Sequence, residues 1–126
     1  MNLVIIEDNE LVLKQLLRLV GERAAIRVVG TVADEAAAVS LIRRVQPDAI
    51  LLDLSLAAGS GINVLRRIRA AGTPARVLVL TNQSADIARR ACESFGIDGF
   101  YDKSSQVLDC LEQLFSWLPQ AAGERK

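Results

Sequence analysis

Five short runs rich in Val, Ile and Leu punctuate the chain, at residues 3–6, 26–31, 49–53, 77–81 and, more weakly, 99–101. The first, third and fourth are continuous rather than alternating in polarity. Strands covered on both faces read that way, which favours a parallel sheet. Helical patterns lie between the runs. Leu13, Leu16, Leu17 and Val20 share one face of a first helix, which starts after an Asp8 or Asn9 cap and ends near Gly21. Ala37, Leu41, Ile42 and Val45 form a second, stopped by Pro47. Ile62, Leu65, Ile68 and Arg69 lie on a third, opened by the Gly-Ser-Gly turn at 59–61 and closed by Gly72 before Pro74. A fourth covers residues 85–95 and is closed by Gly96. The fifth runs from a Ser104 or Ser105 cap through Val107, Leu108, Leu111, Leu114, Phe115 and Leu118, with Pro119 as its stop. This strict βαβαβαβαβα order predicts an α/β fold with an open, doubly wound parallel sheet and right-handed crossovers.

The 126 residues suffice for one domain. That domain is expected over residues 1–119, followed by a polar tail at 120–126 that is either a free end or the start of a linker, with no room for a separate folded output domain. Equal numbers of basic and acidic residues, 15 each, give no net charge, which argues against nucleic acid as a direct partner. The first apolar run is cut off by Glu7 and Asp8, too early for a signal peptide or a membrane span, so a cytoplasmic protein without membrane contact is expected. Cys92 and Cys110 are then reduced thiols without metal-ligand spacing, read as core residues. Trp117, on the last helix, is read as a packing or surface residue far from the third strand. Arg66, Arg67, Arg69, Arg89 and Arg90 give two helices a basic edge, read as a solvated face or a contact for an acidic partner.

The chain contains no histidine. That excludes Ser-His-Asp and Cys-His nucleophiles and the HExxH zinc helix, and leaves chemistry to carboxylates, hydroxyls, lysine or a metal. In open α/β sheets, ligands bind beyond the carboxyl ends of the strands, where the strand order reverses. Those ends carry Glu7 and Asp8, Asp53 and Thr81, with Lys103 shortly after the last strand. Singly, Asp8 reads as a helix cap, Asp53 as a turn residue, Thr81 as a strand end and Lys103 as a loop charge. Their coincidence at one edge is harder to dismiss. Three carboxylates held together need a countercharge unless one takes up a proton, and Mg2+, which keeps waters and takes few protein ligands, leaves such a site open to a phosphoryl donor. A carboxylate is then the acceptor, forming an acyl phosphate, and Asp53 is the central one. Metal on one side and the Lys103 ammonium on the other would stabilise the transferring group, with Thr81 hydrogen-bonding a phosphoryl oxygen.

With these residues in place the chain resembles the bacterial response-regulator receiver domain over about residues 2–118. The EDN at 7–9 matches the family's acidic pair, LLDLSL places the phosphoacceptor at Asp53, and Gly61 follows eight residues later. Thr81 closes LVLT as the switch hydroxyl. In GFYDK, Lys103 matches the family's lysine and Phe100 its aromatic switch position. The resemblance implies a flavodoxin-like (βα)5 fold with strand order 2-1-3-4-5. It also implies Mg2+ held by Asp8, Asp53 and the backbone carbonyl of Ser55, with Glu7 acting through water. The implied donor is a histidine kinase or phosphotransfer protein. The implied output is a downstream protein target that reads the surface formed by the fourth helix, last strand and last helix, once Thr81 moves inward and Phe100 follows. A homodimer formed on phosphorylation is a further implied partner. Self-phosphorylation and autodephosphorylation at Asp53 are implied without turnover enzymology.

Three positions depart from the family pattern. Ala57 stands where a proline is common, so the loop after the third strand is expected to be less constrained. Ser104 follows Lys103 in place of a proline that commonly takes a cis bond, so a trans bond is expected here. Asn82 replaces a small residue after Thr81 and is expected either to narrow access to Asp53 or to add a hydrogen bond near the phosphoryl group. Ser55 and Gln83 occupy positions that adjust phosphoryl lifetime. These departures motivate an alternative, an interaction module that keeps the receiver fold and binds partners without phosphorylation. Against it, both acids, the acceptor and the lysine are all retained. A third reading, a flavodoxin-type cofactor binder, calls for a phosphate-cradling loop after the first strand, which this sequence lacks.

Overall fold

The computed structural model describes residues 1–83 and 85–119; the tail expected at 120–126 lies outside them. Five strands alternate with five helices: β1 (Asn2–Ile6), α1 (Glu10–Val20), β2 (Arg27–Val32), α2 (Glu35–Val45), β3 (Ala49–Leu52), α3 (Gly61–Ala70), β4 (Arg76–Thr81), α4 (Asp86–Phe95), β5 (Gly99–Asp102) and α5 (Val107–Ser116). All strand pairs are parallel and the sheet order is β2-β1-β3-β4-β5, as expected.

Successive side chains of a strand point to opposite faces, and here both faces are apolar. Val4, Ile6, Ile50, Leu52, Val77 and Val79 pack under α2, α3 and α4. Leu3, Ile5, Ala49, Leu51, Leu78 and Leu80 pack under α1 and α5. This two-sided burial is why β1, β3 and β4 read as continuous apolar runs. Both cysteines are buried in these layers, Cys92 on one side and Cys110 on the other.

Three helices begin at side-chain caps that satisfy otherwise unpaired N–H groups. The Asn9 Oδ1 accepts from the Leu11 and Val12 amides, the Asp34 Oδ1 from Ala37, and the Ser60 Oγ from Asn63. Asn9 is therefore the cap of α1, and Asp8 is free for other use. Neither Ser104 nor Ser105 caps α5. Residues 103–105 form a turn, the Ser105 and Gln106 amides bond to the Asp102 carbonyl, and Gln106 is the residue before the helix.

The helix faces differ from the expected ones in detail. Leu17 is 36% exposed while Val12 and Leu19 pack inward, because α1 is apolar over more than one stripe and spacing alone does not select its centre. Leu108, expected within the apolar face of the last helix, is 70% exposed. Arg69 points away from the core and donates to the carbonyls of Thr73 and Gly96, tying α3 to the end of α4. Trp117 packs on the α1/α5 side, with the Arg76 guanidinium 4.8 Å from its ring centroid. Arg76 opens β4, so this pair lies at the end of the sheet opposite the strand-end acids. Among the described residues no helix is long and apolar enough to cross a membrane.

Candidate functional site

The register of the parallel sheet brings the carboxyl ends of β1, β3, β4 and β5 to one edge. The Asp53 amide donates to the Ile6 carbonyl and the Lys103 amide to the Thr81 carbonyl, so the residues just past the strands continue the ladder. Glu7, Asp8, Asp53, Thr81 and Lys103 converge there, while Phe100 lies within β5.

Asp53 and Glu7 are almost completely buried, at 3% and 4% exposure, and Thr81 is buried outright. Asp8 is exposed. The Lys103 ammonium lies 2.7 Å from Asp53 Oδ2, and 2.9 Å and 3.0 Å from the two carboxylate oxygens of Glu7. On its other oxygen, Oδ1, Asp53 accepts from the Thr81 hydroxyl at 2.9 Å and from the Ser55 amide at 3.2 Å. Among the described residues, each hydrogen-bond partner of the Asp53 carboxylate is therefore a donor. The Gln83 amide donates to Thr81 Oγ1 at 3.2 Å, and its side-chain Nε2 to Ser55 Oγ at 2.6 Å, linking the loops after β3 and β4.

Burial pushes the Glu7 carboxyl above the usual carboxylate range, and the neighbouring Asp53 charge adds to this. Hydrogen bonds from Lys103 and the Asn9 amide work in the other direction. For Lys103, burial favours the neutral amine, but hydrogen bonds to Asp53 and Glu7 and their charges outweigh it, so the ammonium is held above the ordinary lysine value.

Glu7, Asp8 and Asp53 each bring a carboxylate oxygen within 4.8 Å of the others. Three carboxylates against one ammonium leave two negative charges when all are ionised. An all-oxygen, doubly negative, half-open donor set fits a hard divalent cation and suits neither a soft metal nor an anion.

Phe100 is half-buried against the α2/α3/α4 side of the core, with the Arg89 guanidinium 5.6 Å from its ring centroid. The Lys103–Ser104 bond is trans, as expected. Ser104 Oγ donates to Asn82 Oδ1 at 3.0 Å, so the two departures from the family pattern on either side of the site are bonded to each other.

The loop after β3, expected to be less constrained with Ala57 in place of proline, carries backbone and side-chain bonds to the start of α2. Ala57 donates its N–H to the Ala33 carbonyl at 3.0 Å, a bond that a proline at this position has no hydrogen to make. The Glu35 amide donates to Ala58 O at 2.9 Å, and the Ser60 amide to Glu35 Oε1 at 3.1 Å. Gly61 follows because a Cβ there would sit 2.1 Å from the Asp53 carbonyl oxygen. The basic edge is also partly used inside the fold, with Arg67 paired to Glu35, Arg69 bonded to carbonyls and Arg89 paired to Glu93. Glu35 was not among the expected site residues. No local pattern marks it, since its partners are 25 and 32 positions away.

The model of the response regulator receiver domain matches residues 3–114. The chain belongs to this family. Among curated receiver-containing relatives, it is 31% identical over 106 residues to the virulence-factor transcription regulator BvgA of Bordetella pertussis, covering 84% of this chain and 51% of that protein. It is also 31% identical over 111 residues to the nitrate/nitrite response regulator NarP of Escherichia coli, covering 88% of this chain and 52% of NarP. The receiver chain thus spans about half the length of these relatives. The receiver domain of NarL from Mycobacterium tuberculosis superposes with a TM-score of 0.82 at 26% identity, covering 91% of this chain and 93% of that one. The flavodoxin-like receiver fold and the two-component response-regulator family are therefore established.

Proposed function

We propose that this receiver domain is a phosphoryl-accepting switch in which Asp53 takes a phosphoryl group from a histidine kinase or phosphotransfer protein. The observation that carries the reading is the placement of Asp53, with Lys103 on one carboxylate oxygen, Thr81 on the other, and Glu7 and Asp8 alongside. A carboxylate oxygen of Asp53 attacks phosphorus, an O–P bond forms, and the donor's imidazole nitrogen leaves with the electrons of the P–N bond. Hydrolysis of the acyl phosphate returns the carboxylate and releases phosphate.

Asp8, Asp53 and the Ser55 carbonyl would hold Mg2+, with Glu7 reaching it through water. When bound, Mg2+ neutralises charge on the transferring group. Lys103 supplies a fixed ammonium on the other side, pre-organised by Glu7. Thr81, already aimed at Asp53, is the donor for a phosphoryl oxygen, and Phe100 responds on β5, altering the α4-β5-α5 surface that a downstream protein target reads. Residues 1–119 form this unit. The balanced charge of the chain supports a protein rather than nucleic acid as that target.

Beryllofluoride, an acyl-phosphate mimic, tests this arrangement when added with Mg2+ to isotopically labelled protein. Amide resonances of Ser55, Thr81 and Phe100 are expected to shift together. Shifts confined to exposed residues away from the strand ends would contradict the reading and favour a module that works without phosphorylation.

A further inference from the structure

The loop from Ser55 to Ser60 contributes two groups to the proposed phosphorylation site, the Ser55 amide on Asp53 Oδ1 and the Ser55 side chain on Gln83. Most of it is exposed; Leu56 packs against the core, and the Gly61 amide closes the loop onto the Leu54 carbonyl at 3.0 Å. Its remaining supports come from the start of α2. Two are backbone bonds, Ala57 N–H to Ala33 and Glu35 N–H to Ala58. The third is the Glu35 side chain. Its Oε1 accepts from the Ser60 amide at 3.1 Å, and its Oε2 accepts from the Arg67 guanidinium, also at 3.1 Å.

Glu35 thus joins three elements, α2, the loop and α3. Ser60 pairs across the loop with Ser55 in an isolated antiparallel bridge, so fixing Ser60 also fixes the residue beside the acceptor. Gly59 shows how closely the carboxylate packs. Its φ is +79°, and a Cβ there would lie 2.5 Å from both Glu35 Cβ and Oε1. The Ser60 amide and the Arg67 guanidinium together hold the Glu35 carboxyl below the usual carboxylate range against some desolvation, so it is an anion at neutral pH.

We propose that Glu35 is a positioning residue for the phosphorylation site, holding the 55–60 loop so that Ser55 is presented to Asp53 and to a divalent cation. The inference rests on the functional reading above. Glu35 is remote from the reacting atoms and acts only through Ser60 and Ser55. In this chain the tethering to α2 takes the place of the stiffness that a proline at position 57 would give the loop.

The test has two arms. In metal-free protein, amide hydrogen exchange is compared between wild type, Glu35→Ala, Glu35→Gln and Gly59→Ala. Exchange at Ser55 and Ser60 is expected to quicken in Glu35→Ala and Gly59→Ala, and to stay near the wild-type rate in Glu35→Gln, which keeps an oxygen for the Ser60 amide. Unchanged exchange in both Glu35→Ala and Gly59→Ala would overturn the proposal, and if Glu35→Ala does not fold, Gly59→Ala decides alone. In the second arm, Mg2+ binding is measured by titration calorimetry. Glu35→Ala is expected to weaken it several-fold and Glu35→Gln to restore most of it, whereas equal affinity in wild type and Glu35→Ala would refute the link to the cation. If wild type itself binds no Mg2+, the functional reading fails, and the exchange arm still judges the positioning role.

Discussion

The Thr81 hydroxyl donates to Asp53 Oδ1 at 2.9 Å, with both side chains shielded from solvent. A phosphoryl group built on Asp53 would therefore offer its oxygens to a donor that already faces it. Removing the hydroxyl in Thr81→Ala costs a buried hydrogen bond to a charged group, on the order of 1.5–3 kcal/mol. The variant is expected to unfold at lower denaturant concentration and still to accept a phosphoryl group, but with a much smaller beryllofluoride-induced shift at Phe100. A full-sized Phe100 shift in Thr81→Ala would deny the hydroxyl its coupling role.

Lys103 is the cation shared by Glu7 and Asp53. Lys103→Ala leaves two buried carboxylates facing each other. Breaking a buried pair in this way costs about 3–5 kcal/mol. Chemical denaturation at neutral pH in a chelator should show the loss, and added Mg2+ should recover part of it by supplying the missing countercharge. Stability equal to wild type in the chelator would contradict the pairing.

The pH dependence of stability has a definite sign for Glu7. Its folded value lies above the ordinary glutamate value of 4.5, because of burial first. The folded state therefore binds this proton more tightly than the unfolded state. That contribution is complete below pH 4.5 and is lost as pH rises through the folded value. Denaturation of metal-free wild type and Glu7→Gln is compared across this range. Relative to Glu7→Gln, wild type should lose stability as pH rises; parallel curves would show that Glu7 titrates alike in both states.

Burial pushes the Cys92 thiol up to about 11 and the Cys110 thiol up to about 12. At pH 8 a thiol with a pKa of 11 is ionised on the order of one part in a thousand, and only the thiolate reacts. Neither cysteine should be modified by a disulfide reagent in native buffer, and both should react in denaturant. Rapid modification of the native protein would place a cysteine outside the core layers.

The alternation of strands and helices and the meeting of Glu7, Asp8, Asp53, Thr81 and Lys103 were legible in the sequence, because continuous apolar runs mark buried parallel strands whose ends gather at one edge, whereas the strand order came only from the resemblance to the receiver family. Side-chain aim was less legible. Leu17 and Leu108 carry helical spacing yet lie at the surface, since spacing does not say which stripe of a broadly apolar helix meets the sheet. The bonds that hold the loop at Ala57 were not legible because they come from residues at the start of α2. An N–H···O=C bond to Ala33 and the reach of Glu35 to Ser60 depend on tertiary approach and have no local signature. The same holds for the Asn82–Ser104 bond.

The central claim, that Asp53 is a metal-assisted phosphoryl acceptor, is tested most directly by intact mass after incubation with acetyl phosphate, with and without Mg2+, in wild type and Asp53→Asn. Wild type is predicted to gain one phosphoryl group only when Mg2+ is present, and Asp53→Asn, folded as judged by circular dichroism, to gain none. A stable gain in Asp53→Asn, or no gain in wild type under any condition, would contradict the account.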